Sequence, residues 1–127
     1  MKLGYTILYV EDPGKSLAFY KTAFGLETRF LHESGDFGEL ETGTTALAFS
    51  SRKLMKALNK NPQAPDASSP CFEIAFTTED VPAALAQAVQ AGARLVQGAE
   101  KMPWGQTVAY VADPDGFLVE ICTPVGG

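Results

Sequence analysis

In YTILYV, residues 5–10, side chains fall into two alternating sets, Tyr5, Ile7 and Tyr9 against Thr6, Leu8 and Val10. This is the period-two pattern of a β-strand. After a turn at Glu11, Asp12 and Pro13 the period changes. Leu17, Tyr20 and Phe24 recur at helical spacing, with Pro13 just inside the start and Gly25 at the end, so a helix is predicted between them. Three short strand candidates follow at 26–33, 37–42 and 45–51, the last two joined by the tight link Thr42-Gly43-Thr44-Thr45.

The same series then returns. EIAFTTEDVPAALAQAVQAG, residues 73–92, aligns with the first segment at a shift of 68: Glu11 meets Glu79, Asp12 meets Asp80, Leu17 meets Leu85 and Ala18 meets Ala86. One deleted residue later, Gly25 meets Gly92. Strand candidates at 94–99, 107–112 and 117–123 complete the copy, and its last hairpin turns on Asp113-Pro114-Asp115-Gly116. Proline presets such a turn and glycine is free to take a left-handed conformation. Strand, helix and three strands therefore occur twice. Between the copies, residues 52–70 predict a short basic helix followed by a Pro/Ser/Ala linker. The expected fold class is α+β, with two βαβββ modules in one chain, about 1–51 and 71–127, in a single domain. At 127 residues and 46% hydrophobic the chain can bury one substantial core.

Charge narrows the partners. Fifteen acidic residues against 10 basic ones give a net charge of −5, which argues against a nucleic-acid partner and suits a neutral or cationic small ligand. No apolar run approaches the roughly 18 residues of a membrane span, and residues 1–10 lack the basic start and cleavage pattern of a secretory signal. A cytoplasmic protein with no membrane partner is expected. Cys71 and Cys122 fall inside predicted strands and match no zinc spacing, so both are expected as reduced, buried thiols.

Glu120 interrupts an otherwise apolar run, VADPDGFLVEIC. Alternation puts Phe117, Val119 and Ile121 on one face and Leu118, Glu120 and Cys122 on the other. Likewise Phe72, Ile74 and Phe76 form an apolar face and leave Cys71, Glu73 and Ala75 opposite. Burying an unpaired carboxylate costs several kcal/mol, so Glu73 and Glu120 are expected to point away from the core. The two βαβββ units, the opening VEDPGKSLAFYKTAFGL and the closing PWGQTVAYVADPDGFLVEI resemble the vicinal oxygen chelate superfamily, which holds glyoxalase I, extradiol dioxygenases and bleomycin-resistance proteins. The resemblance covers nearly the whole chain apart from the linker. It implies a glyoxalase/bleomycin-resistance-like fold, in which curved mixed sheets form a cup, and a metal held by His and Glu at four strand positions.

Those positions carry Tyr5, Ala48, Glu73 and Glu120 here. The internal repeat agrees, since Tyr5 maps onto Glu73 and Ala48 falls near Glu120. No histidine stands among them, and Tyr5 and Ala48 replace two of the usual donors. No cofactor is therefore expected, and Glu73 and Glu120 remain weak candidates for a loosely held divalent ion such as Mg²⁺ or Mn²⁺, completed by water. As a ligand-binding set the sequence offers Tyr5, Tyr9 and Phe30 as an aromatic wall, with Ala48, Glu73 and Glu120 at the site positions. His32 is the only histidine and lies away from those positions, as a surface or sheet-edge imidazole within reach of a ligand at the cup rim. Nothing in the sequence brings a serine or cysteine to it. Trp104, in KMPWGQ, either plugs its loop onto the domain or stacks on a ligand.

Three functions fit this pattern. A small-molecule binding or sequestering protein, similar to the bleomycin-resistance branch, needs no metal, and an acidic, aromatic cup suits a cationic or planar guest. A metal-dependent lyase, isomerase or dioxygenase would use Glu73 and Glu120 as ligands or general base. A metal-free enzyme would let the two carboxylates share a proton and one act as base. The missing imidazoles favour binding. A homodimer is expected, because a curved sheet must cover its edges.

Overall fold

A computed structural model describes residues 1–126; Gly127, the end of the second expected module, lies outside the described residues. The chain divides into two compact units, Met1–Ala64 and Pro65–Gly127.

The first unit runs β1 (Tyr5–Val10), α1 (Pro13–Phe24), β2 (Thr28–Leu31), β3 (Phe37–Leu40), β4 (Ala46–Ser51) and α2 (Arg52–Ala57). Helix α1 starts where Asp12 accepts hydrogen bonds from the N–H groups of Gly14 and Lys15, satisfying donors that a helix start leaves unpaired. It stops at Gly25, whose φ of 72° is the left-handed value that ends helices. The sheet order is β1-β4-β3-β2, with β1 and β4 parallel and the other pairs antiparallel.

Strand register sorts the side chains. Thr6, Leu8 and Val10 pair with Leu47, Phe49 and Ser51, and α1 packs on this face, where the Tyr20 ring lies 5.2 Å from that of Phe49. Gly38 makes the close approach possible, because a Cβ there would stand 2.7 Å from Leu17 Cδ1. Tyr5, Ile7 and Tyr9 pair with Ala46, Ala48 and Ser50 and point the other way. Helix α2 is the short basic helix expected after β4, started by Ser51, whose hydroxyl accepts the Leu54 N–H.

The second unit repeats the plan: β5 (Ile74–Thr77), α3 (Val81–Gln90), β6 (Arg94–Lys101), β7 (Thr107–Ala112) and β8 (Leu118–Cys122), in sheet order β5-β8-β7-β6. Asp80 caps α3 by accepting from Ala83 N–H, and α3 packs on β6, β7 and β8. Ala109, Val111, Val119 and Ile121 share one face and are almost completely buried. The β7–β8 link is tied by the buried Asp113, whose Oδ1 accepts from the N–H groups of Asp115, Gly116 and Phe117 at 3.0, 2.9 and 2.9 Å.

The fold is α+β, with two four-stranded mixed sheets that do not close into a barrel. Two local expectations are corrected. β5 begins at Ile74, so Glu73 stands one residue before it. Cys71 precedes the strand as well and is exposed, whereas Cys122 is buried as expected; both are free thiols. Among the described residues no helix is long and apolar enough to cross a membrane.

Candidate functional site

The internal repeat is built into the strand register. Ile7 pairs with Ala48, and Ala75, its equivalent 68 residues on, pairs with Glu120. Ala48 and Glu120 therefore hold corresponding places, each on the face opposite Phe49 or Val119. Tyr5 stands two residues before Ile7 and on its face by alternation; Glu73 stands two before Ala75, just ahead of the strand, near enough for the Glu120 charge to act on its carboxyl.

Glu120 is half-buried and lies across from Tyr110 on β7. The phenol Oη donates a hydrogen bond to Glu120 Oε1 at 2.8 Å. An acid sits among Val119 and Ile121 because it points away from them and is held by a hydroxyl. Glu73 carries a carboxyl raised above the usual range, first by partial burial and then by the negative charge of Glu120. The residue as a whole is exposed, so water screens most of what that shift is worth to stability. The Cys122 thiol is pushed up to about 11 by burial first and then by its hydrogen bond to Glu120, against an opposing bond from Gln106. It is protonated and unreactive at neutral pH.

Tyr110 is pushed up to about 12, chiefly by the hydrogen bond to Glu120, then by burial and the charges of Glu120 and Glu73. The protonated phenol is thus favoured in the folded state over its ordinary value near 10. The stability this contributes is complete below about pH 10 and is lost as pH rises towards 12. Alkaline titration by ultraviolet absorbance is expected to find one tyrosine ionising late, and Glu120→Gln should bring that titration down towards the ordinary phenol range. A Tyr110→Phe protein that retains the late phenol would contradict the assignment.

Gln106 connects this sheet to the tryptophan loop. Its Oε1 accepts from Trp104 Nε1–H at 2.8 Å, and its Nε2 donates to the Thr123 carbonyl at 2.7 Å. Trp104 is 63% exposed and so does not plug its loop; it stands out from the loop with its indole N–H fixed.

In the first unit Tyr5, Ile7 and Tyr9 share the face opposite α1, and Ala48, fully buried, brings no donor to it. Phe30 pairs with Glu39, and Glu39 with Ala48, which puts both on that face too. Lys60 Nζ sits 5.4 Å from the Tyr9 ring centroid and 3.1 Å from its hydroxyl. His32 lies in the turn after β2, with its ring 6.3 Å from that of Phe30. Its Nδ1 lies 2.8 Å from Ser34 Oγ and accepts the Ser34 N–H at 3.1 Å. The structure thus brings a serine to the histidine, which the sequence reading had not found. The contact closes a tight turn, since Ser34 Oγ also accepts from the Asp36 N–H.

Tyr110, Gln106 and Glu39, which bond to or flank the expected positions, are not among the residues the sequence offers. Tyr110 was within reach of the sequence: counting three residues back from Asp113 and three on from Phe117 lands on the pair Tyr110 and Glu120.

The family model of the Glyoxalase/Bleomycin resistance protein/Dioxygenase superfamily matches residues 2–121. The chain belongs to this superfamily. It is 30% identical over 125 residues to the uncharacterized protein YraH of Bacillus subtilis, covering 95% of this chain and 97% of that one. To the lactoylglutathione lyase of Neisseria meningitidis it is 29% identical over 137 aligned positions, covering 100% and 94%. A crystal structure of a glyoxalase-related enzyme from Fulvimarina pelagi superposes with a TM-score of 0.84 at 23% identity, covering 98% of this chain and 88% of that one. The last likeness concerns the fold alone.

Whether this superfamily member can hold a metal of the glyoxalase type depends on its donors. Of the four positions, Ala48 offers no donor atom and Tyr5 a phenol, which leaves the two carboxylates of Glu73 and Glu120 and no imidazole. Within either unit, among the described residues, no three His, Cys, Asp or Glu side chains gather in a metal-holding group. The residues present do not fit such an ion.

Proposed function

We propose that the protein binds and sequesters a small cationic or aromatic molecule, as the bleomycin-resistance branch does. One observation carries this reading. Glu73 and Glu120 form a fixed negative pole on one sheet face, and among the described residues neither makes an ion pair. A carboxylate oriented by a phenol is a ready acceptor for a charged N–H group, and such charge-assisted bonds are shorter and stronger than neutral ones. Tyr110 does not neutralise the pole, because its hydroxyl stays protonated through the physiological range.

The test is calorimetric titration with 9-aminoacridine, a planar cation at neutral pH, alongside acridine, its neutral parent. The wild-type protein should prefer the cation, and Glu120→Gln should weaken cation binding by on the order of tenfold to a hundredfold, the loss of one charged hydrogen bond. The melting temperature of Glu120→Gln should hold or rise slightly, because the amide oxygen still accepts from Tyr110 while the repulsion on Glu73 disappears. Loss of several degrees with unchanged cation affinity would make Glu120 a structural residue and sink this reading.

Similarity to the Neisseria lyase supports a second reading, metal-dependent lyase chemistry, against which the donor set counts. Elemental analysis of protein purified without chelator, with lactoylglutathione lyase activity assayed with and without added divalent ions, decides between them. About one metal per chain, lost in Glu120→Gln together with activity, would favour the lyase. A homodimer in the cytoplasm completes the proposal. The exposed Leu95 and Val96 on edge strand β6 and the two free thiols support it, and sedimentation of the purified protein reads the oligomeric state.

A further inference from the structure

Glu39 occupies the middle of β3, on the face opposite α1, with Ala48 beside it on β4 and Phe30 beside it on β2. Its side chain is only 14% exposed, and among the described residues its one charged partner is Arg29, at 3.8 Å. That separation is too long for a hydrogen bond. Nor is Arg29 free to close in. Its Nε and Nη2 already grip Glu41 at 2.9 and 2.6 Å, and Nη2 also reaches the Gly43 carbonyl at 3.4 Å. The guanidinium is anchored to the neighbouring acid and meets Glu39 only as an ion pair, so among the described residues the Glu39 oxygens take no protein hydrogen bond and keep access to water. A charged N–H group of a ligand can take the place of the water on such a carboxylate.

The surroundings indicate what would satisfy it. Phe30, 45% exposed, and Phe37 flank Glu39, one across the sheet and one along its own strand, and their ring centroids lie 6.4 Å apart. Further along the same face, Tyr9 already receives an ammonium group, that of Lys60. A half-exposed aromatic pair beside an unbonded carboxylate combines the two recognition elements of an organic cation, a ring face and a counter-charge. Anions are disfavoured there, because Glu39 and Glu41 together outnumber the single arginine.

We propose that Glu39 is a cation-recognising residue, whose carboxylate takes the charged nitrogen of a planar organic cation lying against Phe30 and Phe37. This deepens the binding reading and rests on it, but it assigns selectivity for charge to a residue in the other unit from Glu120. The carboxylate gains the hydrogen bond it lacks, and the ligand's ring covers aromatic surface that is otherwise wet. Arg29 is committed first to Glu41 and only loosely to Glu39, so the Glu39 carboxylate is the charge a cation meets on this face.

The experiment titrates 9-aminoacridine and acridine into wild-type protein, Glu39→Gln and Glu39→Ala. Gln keeps the shape and removes the charge; Ala also removes the shape. Both variants should bind 9-aminoacridine about tenfold to a hundredfold more weakly than wild type. Acridine affinity should be nearly unchanged in Glu39→Gln, which also shows that the variant is folded, and its melting temperature should hold or rise. If Glu39→Gln binds the cation as wild type does, while Glu120→Gln does not, the inference is overturned and the binding function stands. If wild-type protein binds neither compound, both are overturned. Equal loss of cation and acridine in Glu39→Gln would also overturn the inference, because the residue would then be maintaining the face and not reading charge.

Discussion

Asp113→Ala is expected to lower stability by on the order of 3 kcal/mol, a fall of about 10 °C in melting temperature for a chain of this size. The residue is 5% exposed, and one of its oxygens receives three backbone N–H groups in succession, from Asp115, Gly116 and Phe117. Alanine leaves the Asp115 and Phe117 donors without that acceptor in a place water reaches poorly. Gly116 N–H keeps the Asp113 carbonyl, at 2.9 Å, so the turn is loosened but not abolished. Asn, which retains an acceptor oxygen, should cost clearly less. Gly116 is confined in the same link: its φ is 108°, and a Cβ there would stand 2.6 Å from the Pro65 carbonyl oxygen. The turn sets the register in which Tyr110 meets Glu120, so Asp113→Ala should also lower the late tyrosine titration. Urea unfolding with an unchanged slope would establish that stability itself has moved. A change within about 0.5 kcal/mol would mean that the turn is held by its backbone bonds alone.

This same turn shows how much the sequence reveals. Asp-Pro-Asp-Gly marks the hairpin, alternation assigns Glu120 to the face opposite Val119, and superposing the last hairpins of the two copies matches Ala48 with Glu120, as the strand register bears out. These features are local or periodic, so a one-dimensional pattern carries them. Hydrogen-bond partners are not periodic. Alternation tells which way Glu120 points but not that a phenol waits there, and finding Tyr110 requires counting through the turn. Glu39 is harder still. A count out from the turn reaches its pair with Phe30, but the β2–β3 register shifts between Thr28 and Phe30, so no count brings Arg29 to it. His32 meets Ser34 because the chain tightens into a turn whose geometry depends on the side-chain contact itself. Cys71 was expected to be buried by extending β5 too far towards the N-terminus; pairing with β8 begins only at Ile74.

Phe49→Ala is expected to be the most damaging single truncation, costing about 3–5 kcal/mol. Phe49 is fully buried, faces α1 with the Tyr20 ring 5.2 Å away, and lies opposite Gly38. The bare backbone of Gly38 there admits the Leu17 side chain, to which a Cβ would stand 2.7 Å away, so the helix–sheet layer is closely packed. Tyr20 in turn packs on Phe19 and Phe24, with centroids 5.3 Å from each. Removing the ring opens a cavity that neither a strand nor a capped helix can collapse to fill, and the cost of unfilled volume adds to the lost burial. Phe49→Leu, which refills most of that volume, should cost less than half as much. The substitution also separates the two faces of β4. Phe49 and Ala48 are adjacent in sequence but point oppositely, so the fraction of Phe49→Ala that remains folded should bind 9-aminoacridine with wild-type affinity. Selective loss of cation binding at temperatures where circular dichroism shows the protein still folded would mean that packing under α1 controls the binding face. The face carrying Glu39 and Phe30 would then be positioned by the core and not by its strand register alone.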